Sequence, residues 1–123
     1  MNIESYMSAK PITINSHQTL KFALNTMRDN GIRHLPVMEN GRVRGVLSER
    51  DIRFLESVER VDLNELKVDD AYSDDLHSVE PKADIRVVCQ LMQDHKVGSV
   101  VVQQGQELIG IFTWIDALKY ITK

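Results

Sequence analysis

Two stretches decide how this chain folds: Gly45-Val46-Leu47-Ser48-Glu49-Arg50-Asp51 and Gly110-Ile111-Phe112-Thr113-Trp114-Ile115-Asp116. They share the pattern Gly, two apolar residues, Ser or Thr, two variable residues and Asp, and they stand 65 residues apart. Working outward, the same offset aligns the two halves of the chain without a gap, which marks an internal repeat. The Gly-containing segments Val43–Leu47 and Leu108–Phe112 read as strands that run straight into the Ser/Thr position. Short helices are expected beyond them, from about Asp51 to Glu59 and from Asp116 to Ile121.

Upstream, Ile32–Met38 and Val97–Val102 are apolar runs rich enough in β-branched residues to form strands. Asn40-Gly41 favours a two-residue hairpin between the first pair of strands, and Gln103-Gln104-Gly105-Gln106 is a looser version of it. Before these runs, Leu20, Ala23, Leu24 and Met27 fall at i, i+3, i+4 and i+7, and Ile85, Val88, Cys89 and Met92 repeat that helical stripe. Thr19 and Asp84 are residue types that cap a helix start, and Gly31 stands where the first helix needs a left-handed end. The second helix ends less cleanly, at His95-Lys96. Ile12-Thr13-Ile14 and His77-Ser78-Val79 supply one further short strand each. The result is an α/β (α+β) chain with two β-α-β-β-α units, at 1–59 and 69–123, joined by a connector at 60–68. The connector mixes charged and aliphatic residues, so it should be packed rather than a loose tether.

The composition fits this arrangement. The chain has 123 residues, of which 42% are hydrophobic, with one Cys and a formal net charge of −3. A repeat of this size buries only about 60% of its unfolded surface, so each would be marginal alone and the repeats should pack on each other. Residues 1–58 carry 8 basic and 6 acidic side chains, whereas residues 59–123 carry 7 and 12. An acidic chain without a basic run has no footprint for nucleic acid. No stretch approaches the ~18 apolar residues of a membrane span, and the N-terminus lacks the features of a secretory signal. A cytoplasmic location is expected. The lone Cys89 reads as a small buried hydrophobe in a reduced compartment.

The repeated turn has two readings. In one it is an ordinary helix cap, with Ser48 or Thr113 at N-cap and Asp51 or Asp116 at the third helical position. In the other, the hydroxyl and the exposed N–H groups of the helix start meet a phosphate. The carboxylate then has enough lone-pair sites to take both hydroxyls of a ribose. Gly45 and Gly110 permit close approach by either a ligand or a neighbouring backbone.

These turns, the Ile32-Arg33-His34-Leu35-Pro36-Val37 run, the opening Tyr6-Met7-Ser8 followed by Ile12-Thr13-Ile14, and the 65-residue period together resemble a tandem pair of cystathionine-beta-synthase (CBS) domains, from about Ser5 to Ile121. The resemblance implies a pseudo-twofold module whose clefts bind adenosine-containing ligands such as AMP, ADP, ATP or S-adenosylmethionine. It also implies a homodimer that regulates an enzyme, channel or transporter, expected here to be a separate chain. Carried over, Asp51 and Asp116 would take the ribose, and Ser48 and Thr113 the phosphate side. Ile12, Thr13, His77 and Ser78 would face the adenine. Arg33 and His34 would reach phosphate, where an Arg grips bidentately. Arg50 either holds a phosphate or pairs with Glu49 or Glu56. Gly98 and Ser99 replace Arg33 and His34 in the second repeat, and Trp114-Ile115 replaces Glu49-Arg50, so unequal sites are expected.

The four His and one Cys lack metal-ligand spacing, so no metal is expected beyond Mg²⁺ arriving with a nucleotide. No nucleophile constellation or Gly-rich phosphate loop is present, and the chain does not read as an enzyme. Trp114 either stacks on a base or packs at an interface. The competing reading of the whole is a ligand-free dimerisation or docking module.

Overall fold

Both amphipathic stripes become the inner faces of equal-length helices. The computed structural model describes residues 1–59 and 61–123. Helix α1 spans Leu20–Asn30 and α3 spans Ile85–His95. Thr19 Oγ1 accepts the Phe22 N–H at 3.0 Å, and Asp84 Oδ1 accepts the Arg86 N–H at 2.8 Å, so both expected caps form. Gly31 ends α1 with φ 64°, and Lys96 ends α3 in the same left-handed region at 56°. A non-glycine residue there explains why the second helix end was harder to see in sequence.

The chain divides into two compact units. One is Ile12–Leu76, called here the central unit; the other combines Met1–Pro11 with His77–Lys123 and is called the terminal unit. In the central unit, β2 (Ile14–Asn15) pairs parallel with β3 (His34–Glu39), which pairs antiparallel with β4 (Arg42–Ser48). In the terminal unit, β5 (Ser78–Val79), β6 (Ser99–Gln104) and β7 (Glu107–Thr113) repeat this arrangement. Even the bulges coincide, at Val37/Met38 and at Val102/Gln103. Helix α2 (Glu49–Glu59) follows β4, and α4 (Trp114–Thr122) follows β7.

Two expectations are corrected. The helices start at Glu49 and Trp114 rather than at Asp51 and Asp116, because Ser48 and Thr113 end their strands and the helix opens on the next residue. The strands expected at Ile12–Ile14 and His77–Val79 shorten to Ile14–Asn15 and Ser78–Val79. By contact, the chain divides after Pro11 and Leu76, a division distinct from the sequence repeats at 1–59 and 69–123.

The physical reason for the last difference is an exchange of leading segments. Strand β1 (Ser8–Ala9) pairs with β7, Ser8 opposite Ile111. At the corresponding place 65 residues on, Ser73 bridges Val46 of β4. The turn Ile3–Ser5 has its counterpart at Val68–Asp70. Ile3 N–H donates to Ala83 C=O at 3.0 Å, and Val68 N–H to Gln18 C=O at 2.8 Å. Ile3 is fully buried with Ile85, Val88 and Phe112, while Val68 is fully buried with Leu20, Leu35 and Leu47. Each sheet is therefore completed by the segment that precedes the other repeat in sequence. In the connector, Leu63 is buried in the central core and Val61 and Leu66 lie against it, while Arg60 falls outside the described residues.

Gly45 and Gly110 serve this exchange. A Cβ on Gly45 would collide with the Ser73 carbonyl oxygen and come within 2.7 Å of the Tyr72 ring. One on Gly110 would meet Met7 and the Ser8 carbonyl oxygen, the latter at 3.1 Å. Of the two readings of these glycines, close approach of a neighbouring backbone is the one the fold uses. Tyr6 and Tyr120 then meet edge to face at 5.3 Å, tying the leading segment to α4.

Candidate functional site

In the central unit the candidate residues converge where β4 passes into α2. His34 begins β3 and stands opposite Ser48, the last residue of β4. The Arg33 carbonyl accepts the Glu49 N–H at 2.9 Å, clamping the start of α2 to the start of β3. Ser48 Oγ accepts the Asp51 N–H at 3.1 Å, so the cap forms. The Asp51 carboxylate takes no part in that cap and has no hydrogen bond or ion pair among the described residues. It is half-buried, close enough to His34 to act on its charge. Burial lowers the His34 pKa from its ordinary value; Asp51 pulls it back up, and Arg33 adds a smaller downward push. Arg33 and Arg50 are exposed. Arg50 forms no ion pair with Glu49 or Glu56; Glu56 pairs with Arg53 instead, at 3.2 Å.

This cluster can hold an anionic, hydroxyl-bearing ligand. Two guanidinium groups and the first N–H groups of α2 suit a phosphate, and an uncommitted carboxylate suits hydroxyl donors. Ile12 and Thr13 are exposed and precede β2. Because Ile14 lies level with Val37 in a parallel pairing, they sit toward the end of the sheet where β3 begins, the end that also carries His34 and Ser48. No hydrogen bond joins them to the cluster among the described residues.

The terminal unit builds the same turn differently. The Gly98 carbonyl accepts the Trp114 N–H at 3.1 Å, matching the Arg33 clamp without its guanidinium. Asp116 is buried, and its Oδ2 accepts both the Thr113 N–H at 2.9 Å and the Thr113 hydroxyl at 3.3 Å. Here the carboxylate is committed to the helix start, the cap reading of the motif. The two adenine-side candidates are engaged elsewhere as well: Ser78 Oγ donates to Gln103 Oε1 at 2.7 Å, and the His77 ring lies against His95. The His77–His95 contact escaped the sequence reading, because no periodicity links a residue ahead of a strand to one at a helix end.

Other features bear on the site's context. Trp114, Ile115 and Leu118 are 45%, 44% and 45% exposed, and Ile121 70%, leaving an apolar stripe along α4. Cys89 is half-buried, and burial raises its thiol pKa. Among the described residues no helix is long and apolar enough to cross a membrane, and no three or more His, Cys, Asp or Glu side chains are grouped to hold a metal ion.

Comparison with known proteins matches the CBS domain twice, over residues 3–57 and 68–123. Hypoxic response protein 1 of Mycobacterium tuberculosis is 28% identical over 116 residues, which span 94% of this chain and 81% of that protein. The crystal structure of Hypoxic Response Protein I with two coordinated zinc ions superposes with a TM-score of 0.81 at 27% identity, covering 98% of each chain. The CBS domain pair of MJ0100 in complex with 5′-methylthioadenosine and S-adenosyl-L-methionine shares the fold, with a TM-score of 0.86 at 18% identity over 99% of this chain and 96% of that one. With a family match across each repeat and the same fold in solved CBS pairs, this chain belongs to the CBS domain family and is a tandem CBS pair.

Proposed function

We propose that this CBS pair is a regulatory module that binds an adenosine-containing ligand chiefly at the Arg33, His34, Ser48 and Asp51 cluster and signals its occupancy to a partner protein. The observation that carries this reading is the contrast between the two turns. Asp51 keeps its carboxylate free beside a capping hydroxyl and basic side chains, whereas Asp116 spends its carboxylate on Thr113. A carboxylate without a partner adds little to stability at a half-exposed position, so a ligand is the better account of its placement. The fold accommodates adenosyl compounds in MJ0100. Asp51 would take the ribose hydroxyls, Ser48 and the start of α2 the phosphate side, Arg33 and Arg50 the phosphate charge, and Mg²⁺ would arrive only with a nucleotide. The Asp116 site, with Thr113, His77 and Ser78, would be weak or empty at physiological ligand concentration. The apolar stripe on α4 supports self-association as a homodimer, since a contiguous exposed apolar face on a small domain marks an interaction surface.

Calorimetric titration with AMP, ATP, NADH and S-adenosylmethionine tests the reading. Each hydrogen bond to a charged group is worth about 1.5–3 kcal/mol, so Asp51→Ala should weaken the best ligand at least tenfold. Asp116→Ala should change that affinity less than threefold. Equal losses in both variants would overturn the inequality of the sites. If no ligand binds or shifts the melting temperature, the module is a ligand-free docking unit.

A further inference from the structure

The turn between β4 and α2, with the residues that begin β3, carries formal charges that cancel. Arg33 and Arg50 are positive, and Glu49 and Asp51 are negative. A phosphate monoester brings up to two further negative charges, so the cluster gains by acquiring a positive charge of its own. His34 is the member that can supply one, since imidazole alone among these side chains titrates near neutral pH.

The fold sets the ring where such a charge counts. His34 and Ser48 are directly opposite in the antiparallel pairing of β3 with β4, so their side chains share one face of the sheet, with Cβ atoms about 4.5–5.5 Å apart. From Ser48 the chain opens into α2, whose first N–H groups suit an anion. The ring is half-buried and forms no hydrogen bond or ion pair among the described residues. Asp51 on α2 and the adjacent Arg33 are the charged groups that act on it. Glu49 is tied through its N–H to the Arg33 carbonyl, and Glu39, at the far end of β3, accepts the Ser16 hydroxyl. Lys21, Arg28 and Asp29 on α1, Arg42 and Arg44 on β4, and Arg50 on α2 are exposed, and β2 carries no charged residue.

Burial holds the His34 pKa below its ordinary value, so without ligand the ring is neutral at pH 7. A phosphate beside it favours the imidazolium. We propose that this site selects a phosphate-bearing adenosine ligand over an adenosyl sulfonium and takes up a proton on His34 as it binds, so that occupancy follows pH. The coupling rests on the ligand-binding function proposed above. The terminal unit lacks it, because Ser99 stands opposite Thr113.

Calorimetric titration of the full chain with AMP, ATP and S-adenosylmethionine, at about pH 8 and about pH 6.5, tests this. Affinity for AMP or ATP should rise at least threefold as pH falls over that range, and affinity for S-adenosylmethionine should stay level or fall. Between these limits, the heats of nucleotide binding in two buffers of different ionisation enthalpy should report net proton uptake, lost in His34→Asn and kept in His17→Asn. The Hε1 signal of His34 should titrate at higher pH with nucleotide than without it, which decides the matter even if His34→Asn misfolds. Nucleotide binding without proton uptake, uptake that persists in His34→Asn, or binding of S-adenosylmethionine alone would overturn the proposal and leave the proposed function standing. If none of the three ligands binds, both fall together.

Discussion

Replacing Ile3 with Ala should unfold the second repeat in preference to the first, although Ile3 stands at the start of the first. Ile3 is fully buried among Ile85, Val88, Val100 and Phe112, and its carbonyl accepts the Tyr6 and Met7 N–H groups at 2.9 and 2.8 Å. Removing its outer carbons from a packed core costs about 2–5 kcal/mol, the transfer free energy of the lost atoms plus the cavity left behind. A loss of 2 kcal/mol multiplies the locally open population about 30-fold. Hydrogen exchange read by mass spectrometry at peptide resolution measures this directly. Peptides covering α3, β6 and β7 should exchange at least tenfold faster than in the unaltered chain, and peptides covering α1, β3 and β4 should change much less. Val68→Ala should give the mirror image, since Val68 is buried with Leu20, Leu35 and Leu47. If Ile3→Ala instead accelerated exchange mainly in α1 and β3, the exchange of leading segments would be refuted.

Two more outcomes follow from the same geometry. Gly45→Ala should destabilise by roughly 1–3 kcal/mol, the usual cost of overpacking, because the new methyl group meets a backbone carbonyl and an aromatic ring. Gly110→Ala should cost less, since the flexible Met7 side chain gives way first; urea denaturation of the two variants ranks them, and the reverse order would count against the structure. The lowered pKa of His34 means that the unfolded chain takes up a proton more readily than the folded one. Stability from this group is intact above its ordinary pKa of about 6.5 and declines as pH falls from there toward the lowered native value. Replacing His34 with Asn should flatten that segment of a stability-against-pH curve measured in urea, and an unaltered slope would show that His34 is not its source.

Much of the fold is legible in sequence because the repeat is written in local chemistry. The stripes on α1 and α3, the caps Thr19 and Asp84, Asn40-Gly41 and the recurring Gly-x-x-Ser/Thr-x-x-Asp turn each act within a few residues, and 65-residue register carries one half onto the other. The Ser48 cap on the Asp51 N–H was legible for the same reason, whereas the placing of Arg33 and His34 beside that turn follows from the pairing of β3 with β4.

Long-range partners decided the rest. Asp51 and Asp116 occupy equivalent positions in one motif, yet only Asp116 turns its carboxylate back on its own cap. That difference depends on burial and side-chain geometry, and the pattern of residue types is the same for both. Met1–Pro11 reads in sequence as the start of the first repeat, but it completes the terminal unit, where β1 pairs with the outer edge of β7 and Ile3 is fully buried in the core. His77 and His95 meet only after β5 and α3 have packed. The amino-acid sequence by itself determined the elements and their order, through interactions spanning three or four residues. Which segment completes which sheet and which imidazoles touch were decided by tertiary packing, since those contacts join residues that no local period connects, and which carboxylate stays free was decided by the burial of Asp116 and the side-chain geometry of its turn.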